Sequence, residues 1–471
     1  MSNNTSSLKQ VPVHEETIFG HPKGLFILFF TELWERFSYY GMRGLFVLFL
    51  TAQVAEGGWG WSDADALSLY GTYTMLVYLV AIPGGIIADR LIGQKKSVLI
   101  GGLLLVAGHS VMAIPTEWAF YSALALIILG VGLLKPNIST MVGGLYKKED
   151  QAGRDKGFSI FYIGINLGAF LAGISCAVVA KEFGWHYGFG LAGIGMLLGQ
   201  VVYMYGQKYL VHVGNFEKKT ESKKSNPSKP LTKVEKDRLV VLLLSFLIVI
   251  IFWGAFEQAG GLMNLYAENK INLNLNLGFL IYDVPAAAFQ SLNALYIILL
   301  GVPIAAFWAL RKQKSKESSA LFKMGIGTII MGLGFVFMML ATKEVSTSES
   351  GEILQKAGMQ WLFLAYLFHT VGELCLSPVA LSFITKMSPA KYASMMMGVY
   401  FAMTGLGNKL AASLGSSAKD LGDYNTFLLI ASVSVVFGLI VLVFLKPLKK
   451  LTHGAEDTDS NVVFTEEEQM A

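Results

Sequence analysis

Long apolar runs recur along this chain, and they restrict its fold more than any other feature. Twelve of them lie at roughly 25–51, 64–88, 97–114, 118–141, 157–180, 186–211, 239–267, 286–310, 321–341, 358–386, 391–414 and 425–446. About 20 consecutive apolar residues suffice for a helix to cross the hydrocarbon core of a bilayer. The chain therefore reads as an all-α integral membrane protein with twelve transmembrane helices. Its composition agrees, with 54% hydrophobic and only 15% charged residues among 471. The implied partner is the lipid bilayer, and a net charge of +4 points to no nucleic acid. Cys176 and Cys375 each sit inside an apolar run, so free thiols are expected rather than a disulfide or a metal site.

Residues 1–24 have no apolar core or cleavage signal and read as a tail. Residues 212–238, HVGNFEKKTESKKSNPSKPLTKVEKDR, are polar and lysine-rich and read as a linker. That divides the chain into an N-terminal bundle of six helices (25–211), the linker, a C-terminal bundle of six (239–446) and a tail (447–471). Basic residues fall in alternate loops: Arg90, Lys95 and Lys96; Lys147, Lys148, Arg154 and Lys156; the linker; Arg311, Lys312, Lys314 and Lys316; Lys446, Lys449 and Lys450. The other loops are poorer in excess positive charge. The basic set is expected to be cytoplasmic, which puts both termini inside.

The first run is the oddest. Residues 25–50, LFILFFTELWERFSYYGMRGLFVLFL, carry Glu32, Glu35, Arg36 and Arg43 between greasy flanks. Each charge at the bilayer centre costs on the order of 2.5–3.5 kcal/mol on insertion scales. They must face protein or water and find partners. At 100° per residue Glu32, Arg36, Tyr39, Tyr40 and Arg43 share one face, with Glu35 at its edge. The flanks are too long and continuous for a helix lying on the membrane surface. Further along, Lys135, Glu257 and Glu373 also fall inside apolar runs. The seven groups sum to −1, so one added proton makes the set neutral, which is a motive for proton coupling. Static ion pairs are the other reading, but buried pairs are poor stabilisers.

Asn166 and Asn293 add buried groups that both donate and accept. Tyr39, Tyr40, Tyr78, Tyr162 and Trp253 are candidate cavity walls, Tyr40 and Tyr78 before the rest, although packing or interfacial anchoring is the commoner role of one aromatic. His109 reads as a core residue; His369, one turn before Glu373, is a secondary proton-carrier candidate. There is no catalytic triad, metal cluster or phosphate loop. No catalytic residue, metal ligand or cofactor is expected, and the chain does not read as an enzyme.

Two resemblances follow from these residues. Twelve spans in two halves, with the loop GGIIADRLIGQKK at 84–96, resemble the major facilitator superfamily, whose substrate site lies near the midplane between halves. In that loop motif Gly85 is expected to allow close helix packing, while Asp89 and Arg90 cap and bridge neighbouring helix ends. More specifically, Glu32-Leu-Trp-Glu35-Arg36-Phe37-Ser-Tyr39-Tyr40-Gly41 resembles E-x-x-E-R-F-x-Y-Y-G of the proton-dependent oligopeptide transporter family, and Phe161-Tyr162-Ile-Gly-Ile-Asn166-Leu-Gly168 resembles its F-Y-x-x-I-N-x-G signature. Lys135-Pro136-Asn137, Glu257-Gln258, Gln290 to Asn293, and Gly372-Glu373-Leu with Ser377-Pro378 match in order.

This resemblance implies proton symport of di- and tripeptides, with protons as the coupling ion, no other cofactor, and a monomer in a bacterial cell membrane. It implies that Arg43 and Lys135 hold the peptide carboxylate, and that Glu373, with Asn166 and Asn293, holds the amine. Tyr39, Tyr40, Tyr78, Trp253 and Ser377 line the pocket, while Glu32, Glu35, Arg36 and Glu257 couple protons. Arg43–Glu257 and Lys135–Glu373 become bridges between the halves when the site closes. The sequence departs from the family at Ala294, where many members have Pro, at Tyr400, where Trp is common, and at Gly71, where mammalian members carry a proton-binding His. A carrier of another small solute, such as nitrate or an amino-acid derivative, is the alternative. Lys135 facing Glu373 suits a zwitterion better than a plain anion.

Overall fold

The structure, a computed structural model, describes residues 17–147, 150–216, 231–279, 281–350, 352–389 and 392–455. Most of the two expected tails (1–16 and 456–471), the middle of the linker (217–230) and Lys148 lie outside the described residues. Twelve helices of at least 19 residues are described: α1 Lys23–Thr51, α2 Asp63–Ile87, α3 Gln94–Met112, α4 Glu117–Gly144, α5 Gln151–Phe183, α6 Trp185–Gly206, α7 Lys233–Phe256, α8 Ser291–Gln313, α9 Ala320–Glu344, α10 Gln360–Met387, α11 Ala393–Ser416 and α12 Asp423–Val443. Ten of these regions are apolar enough to cross a membrane on their own. The exceptions are α1 and α11. The first carries Glu32, Glu35, Arg36 and Arg43, and the second carries Lys409 and Asn408 among small polar residues. Both are held by neighbours: α1 packs on α5 and α6, and α11 on α2 and α7.

Helix starts follow local chemistry. The Ser62 side chain accepts from the amide of Asp65 at the start of α2. Asp150 accepts from Gly153 at the start of α5. Thr232 and Glu235 form a reciprocal capping box at α7, which satisfies two amide groups that the helix leaves unpaired.

Within each half, glycines set the spacing. A Cβ on Gly84 of α2 would lie 1.8 Å from the carbonyl oxygen of Gly132 on α4, and one on Gly327 of α9 would lie 2.7 Å from that of Gly372 on α10. Lipid offers no hydrophobic drive between helices, so close backbone approach supplies the packing energy. Gly85 does not do this. A Cβ there would meet nothing within 4 Å, and its neighbour Gly84 makes the close contact. One residue along a helix is 100° of rotation, which decides which of two adjacent glycines faces the partner.

The helices pack as two groups, α1–α6 and α7–α12, joined mainly where α2 meets α11 and α5 meets α8. Clearance between α2 and α11 widens along the pair. A Cβ on Gly71 would lie 2.2 Å from Ala412 Cβ, whereas one on Gly398 would lie 3.7 Å from Ile82. The tight end is reinforced. Asn264, in the short helix Leu262–Lys270, donates to the Gly44 carbonyl at 2.9 Å. Ser291 donates to the Phe170 carbonyl at 3.0 Å, Lys409 donates to Thr72 at 2.8 Å, and Lys181 to the Asp283 carbonyl. Short strands cap the same end, with 271–272 pairing in parallel with 357–358.

Candidate functional site

Burial is inverted relative to a soluble protein. Glu32, Glu35, Arg36, Arg43, Lys135 and Glu257 are all 6% exposed or less, while large apolar side chains such as Ile194, Val302 and Val443 are more than half exposed. Six charges withdrawn from solvent need partners; five of them fall into two clusters, Lys135 stands apart, and the half-buried Glu373 centres a third cluster.

The first cluster lies within α1. Arg36 Nε is 3.0 Å from Glu32 Oε1 and also donates to Glu35 Oε2. One oxygen of each carboxylate and Nη2 of the guanidinium have no hydrogen-bond partner. Two acids share one base, so the trio is one proton short of neutral. The Arg36 guanidinium also lies 5.5 Å from the centre of the Tyr39 ring, which packs edge-on against Tyr40.

The second cluster joins the halves. Arg43 Nη2 of α1 lies 3.1 Å from Glu257 Oε1, just past the end of α7. Glu257 sits in a single tight turn, Glu257–Ala259, that breaks the seventh span before it continues as Leu262–Lys270. Tyr70 of α2 completes the group. Its hydroxyl donates to Glu257 Oε1 and accepts from Arg43 Nε at 2.8 Å. Tyr70 is absent from the residues expected from sequence. Its signal was there, because Tyr70, Thr74 and Tyr78 are spaced by four on one face of α2. Arg43 also lies 5.5 Å from the centre of the Tyr40 ring.

The third cluster is in the C-terminal group. Asn293 Nδ2 of α8 donates to Glu373 Oε2 of α10 at 2.7 Å and to Thr370 Oγ1 at 3.1 Å. Thr370, like Tyr70, was not anticipated. Ser377, one turn beyond Glu373, is buried with its hydroxyl unpartnered, next to Pro378, whose ring removes a backbone donor from α10.

The expected Lys135–Glu373 bridge is not made in this structure. Lys135 Nζ of α4 instead lies 4.5 Å from the centre of the Tyr78 ring, a cation–π contact, and Glu373 is held by Asn293. Asn166 does not join Glu373 either. Its Nδ2 bonds back to the Tyr162 carbonyl one turn earlier, at 3.1 Å. Trp253 is buried edge-on against Phe252 and Phe256 with its indole N–H unpartnered. Ala294 and Tyr400 are both buried. Asp89 and Arg90 are exposed in the wide turn 88–92 that ends the second span, and among the described residues they neither cap nor bridge neighbouring helix ends. His369 is buried with neither ring nitrogen bonded and packs 4.5 Å from the Phe335 ring, while His109 is buried between α3 and α6. No group of three metal-ligating side chains occurs among the described residues, and both cysteines are free.

The N-terminal group thus presents two cations, Arg43 and Lys135, and the C-terminal group two anions, Glu257 at the break in the seventh span and Glu373 within α10. A short molecule with opposite charges at its two ends would find a counter-charge in each half.

Known proteins resemble this chain in sequence and in fold. The sequence model of the POT family matches residues 95–228 and 214–421. The "Uncharacterized transporter YclF" of Bacillus subtilis (strain 168) is 34% identical, over 96% of this chain and 99% of that protein. The "Peptide transporter YePEPT" of Yersinia enterocolitica subsp. palearctica serotype O:3 (strain YE-P4) is 32% identical, over 93% and 97%. The crystal structure of a POT family transporter in complex with thioalcohol conjugated peptide superposes with a TM-score of 0.84 at 30% identity, covering 92% of this chain and 98% of that one.

Proposed function

The chain belongs to the POT family, whose members are transporters and not enzymes, and on that premise we propose that it is a proton-coupled symporter importing di- and tripeptides by alternating access. It is a multi-pass membrane protein with the major facilitator fold, and its relatives support peptides as the transported class. The observation that carries the finer reading is the Arg43–Tyr70–Glu257 cluster, a buried ion pair shared between the two halves.

Every short peptide carries one ammonium and one carboxylate at its ends near neutral pH. Arg43 and Lys135 hold the carboxylate, and Glu373 with Asn293 holds the amine. Side chains are left to a pocket walled by Tyr39, Tyr40, Tyr78 and Trp253, which accounts for a tolerant specificity. Outward-facing protein takes up a proton and a peptide, and the peptide's ends substitute for ion-pair partners across the halves. The site closes and reopens inward, and proton release at Glu257 or within the Glu32–Glu35–Arg36 trio restores the bridges. The driving force is about 2.3 kcal/mol per charge per 100 mV and about 1.36 kcal/mol per pH unit, enough for one proton to support tens-fold accumulation. The tight end of the molecule is the extracellular side. The termini and the 212–238 linker are cytoplasmic, and the protein works as a monomer in a bacterial cell membrane.

The test uses proteoliposomes and labelled dialanine. Glu257→Gln is expected to abolish accumulation driven by a proton gradient while sparing counterflow, which needs no net proton movement. Intact accumulation in this variant removes Glu257 from the coupling path. Absence of counterflow in the unmodified protein across a panel of peptides removes the transport reading itself. Competition by nitrate but not by dialanine favours a different small solute.

A further inference from the structure

Away from the central clusters, α8 and α9 each pack on α10 more extensively than on each other, which leaves a cleft between them floored by α10. At the lysine-rich end the cleft opens into a cavity of about 410 Å³. Lys312 in the last turn of α8, Lys316 just after it, Lys323 in the first turn of α9, Lys386 near the end of α10, and Lys449 in the short helix Leu445–Leu451 line it. Glu317 is the one carboxylate in that lining, so the wall carries +4. Lys449 Nζ is 2.9 Å from Glu317 Oε2. Burial works against ionisation of Glu317, but hydrogen bonds from Ser319 and Lys449 hold its carboxyl down at about 2. It stays charged and offsets a single lysine.

One to two turns deeper, the same three helices form a second recess with an apolar lining, including Phe307 and Trp308 of α8, Ile326 and Ile330 of α9, and Val371 of α10. The two recesses are neighbours along α10. Val371, Cys375, Val379 and Phe383 step by four along one face of α10 from the apolar recess to the basic one. At the junction Lys323 lies 5.4 Å from the Trp308 ring centre and Arg311 lies 5.2 Å from that of Phe322. Phe307 is 55% exposed on the bilayer-facing side, so the groove is open to the membrane.

A cationic cavity stacked on a bilayer-facing apolar groove fits one ligand chemistry. We propose that the α8–α9–α10 cleft is a binding site for an anionic phospholipid, with its phosphate among Lys312, Lys316, Lys323, Lys386 and Lys449 and an acyl chain along the groove. A free phosphate would use the cavity and leave the groove idle. An acidic soluble partner would not reach the groove at membrane depth. Basic pockets between transmembrane helices at the membrane surface are a recurrent form of lipid headgroup recognition.

Native mass spectrometry of the full-length detergent-purified chain tests this with phosphatidylglycerol, phosphatidylcholine and glycerol 1-phosphate. Phosphatidylglycerol is expected to bind saturably and at least about tenfold tighter than either of the others. The double variant K316Q/K386Q is expected to weaken it on the order of thirtyfold, taking each lysine as about 1 kcal/mol. The double variant K446Q/K450Q, which alters lysines of the same terminal helix that do not line the cavity, should change it less than about threefold. If the first pair misfolds, Ile330→Trp, which fills the groove and leaves every lysine in place, should still weaken binding. Equal affinity for phosphatidylcholine, an equal effect of the two lysine pairs, or glycerol 1-phosphate binding as tightly as the lipid would overturn the proposal.

Discussion

Glu257 and Glu373 show how much a single carboxylate does here and how differently each is held. Glu257 has a cation and a phenol on it, whereas Glu373 has an asparagine amide and, among the described residues, no cation within ion-pairing distance. A carboxylate with only a neutral donor is the better receptor for an incoming ammonium, because no ion pair must be broken first. Glu373→Gln should therefore weaken dialanine binding by at least about thirtyfold, since losing one partner of a buried charge pair costs about 2–5 kcal/mol. Isothermal titration calorimetry checks this, and a change below threefold would take the amine elsewhere. Tyr70→Phe is a milder cut. Hydrogen bonds to charged groups contribute about 1.5–3 kcal/mol, and Arg43 still neutralises Glu257. Gradient-driven accumulation should drop but remain measurable, in contrast to Glu257→Gln. The charges themselves were legible in the sequence because a charge inside an apolar run is conspicuous. Thr370 was not, and the spacing of Tyr70, Thr74 and Tyr78 marked only a face of α2, because a tyrosine or threonine in a membrane helix has many uses and only three-dimensional proximity selects one.

At the level of elements, all twelve spans were read from apolar runs, although α1 and α11 carry polar residues that leave them less apolar than the other ten. Local geometry was harder to read. The loop motif drew attention to Gly85, yet Gly84 makes the backbone contact with Gly132. Gly84→Val should lower the melting temperature by several degrees or prevent folding, while Gly85→Ala should be nearly silent, and a thermal-shift assay on the purified pair separates them. Gly71 has a different use. The sequence comparison marked it as the place of a missing histidine, whereas the structure gives it a steric role, with only 2.2 Å between its virtual Cβ and that of Ala412 across the two halves. Gly71→Leu acts as a wedge at the tight end. It should bias the molecule toward the open-outward arrangement without touching any charge, raising thiol-reagent labelling of a cysteine placed at Tyr78 from the extracellular side. Unchanged labelling would show that α2 and α11 do not form the outer gate.

For the whole molecule, twelve helices in two groups followed from the apolar runs, but the relation between the groups did not. Hydropathy is a property of each helix against lipid, and it carries no information about which of two packings of the same helices is populated. Here the halves meet closely near Gly71 and are joined by hydrogen bonds at Gly44 and Ser291, while Gly398 has more room. If transport proceeds by alternating access, freezing that contact must stop it. A Cβ on Gly44 of α1 would lie 3.7 Å from the Ala287 Cβ on the short turn Ala286–Gln290 ahead of α8, within the 3.5–4.5 Å range of disulfides. In a background with Cys176 and Cys375 replaced by alanine, Gly44→Cys with Ala287→Cys should cross-link on mild oxidation and abolish dialanine counterflow. Reduction should restore it. Neither single cysteine should respond to oxidant. Counterflow that persists at full cross-linking would mean that the two halves need not separate at this end, and a rocking cycle would then be the wrong description of the protein.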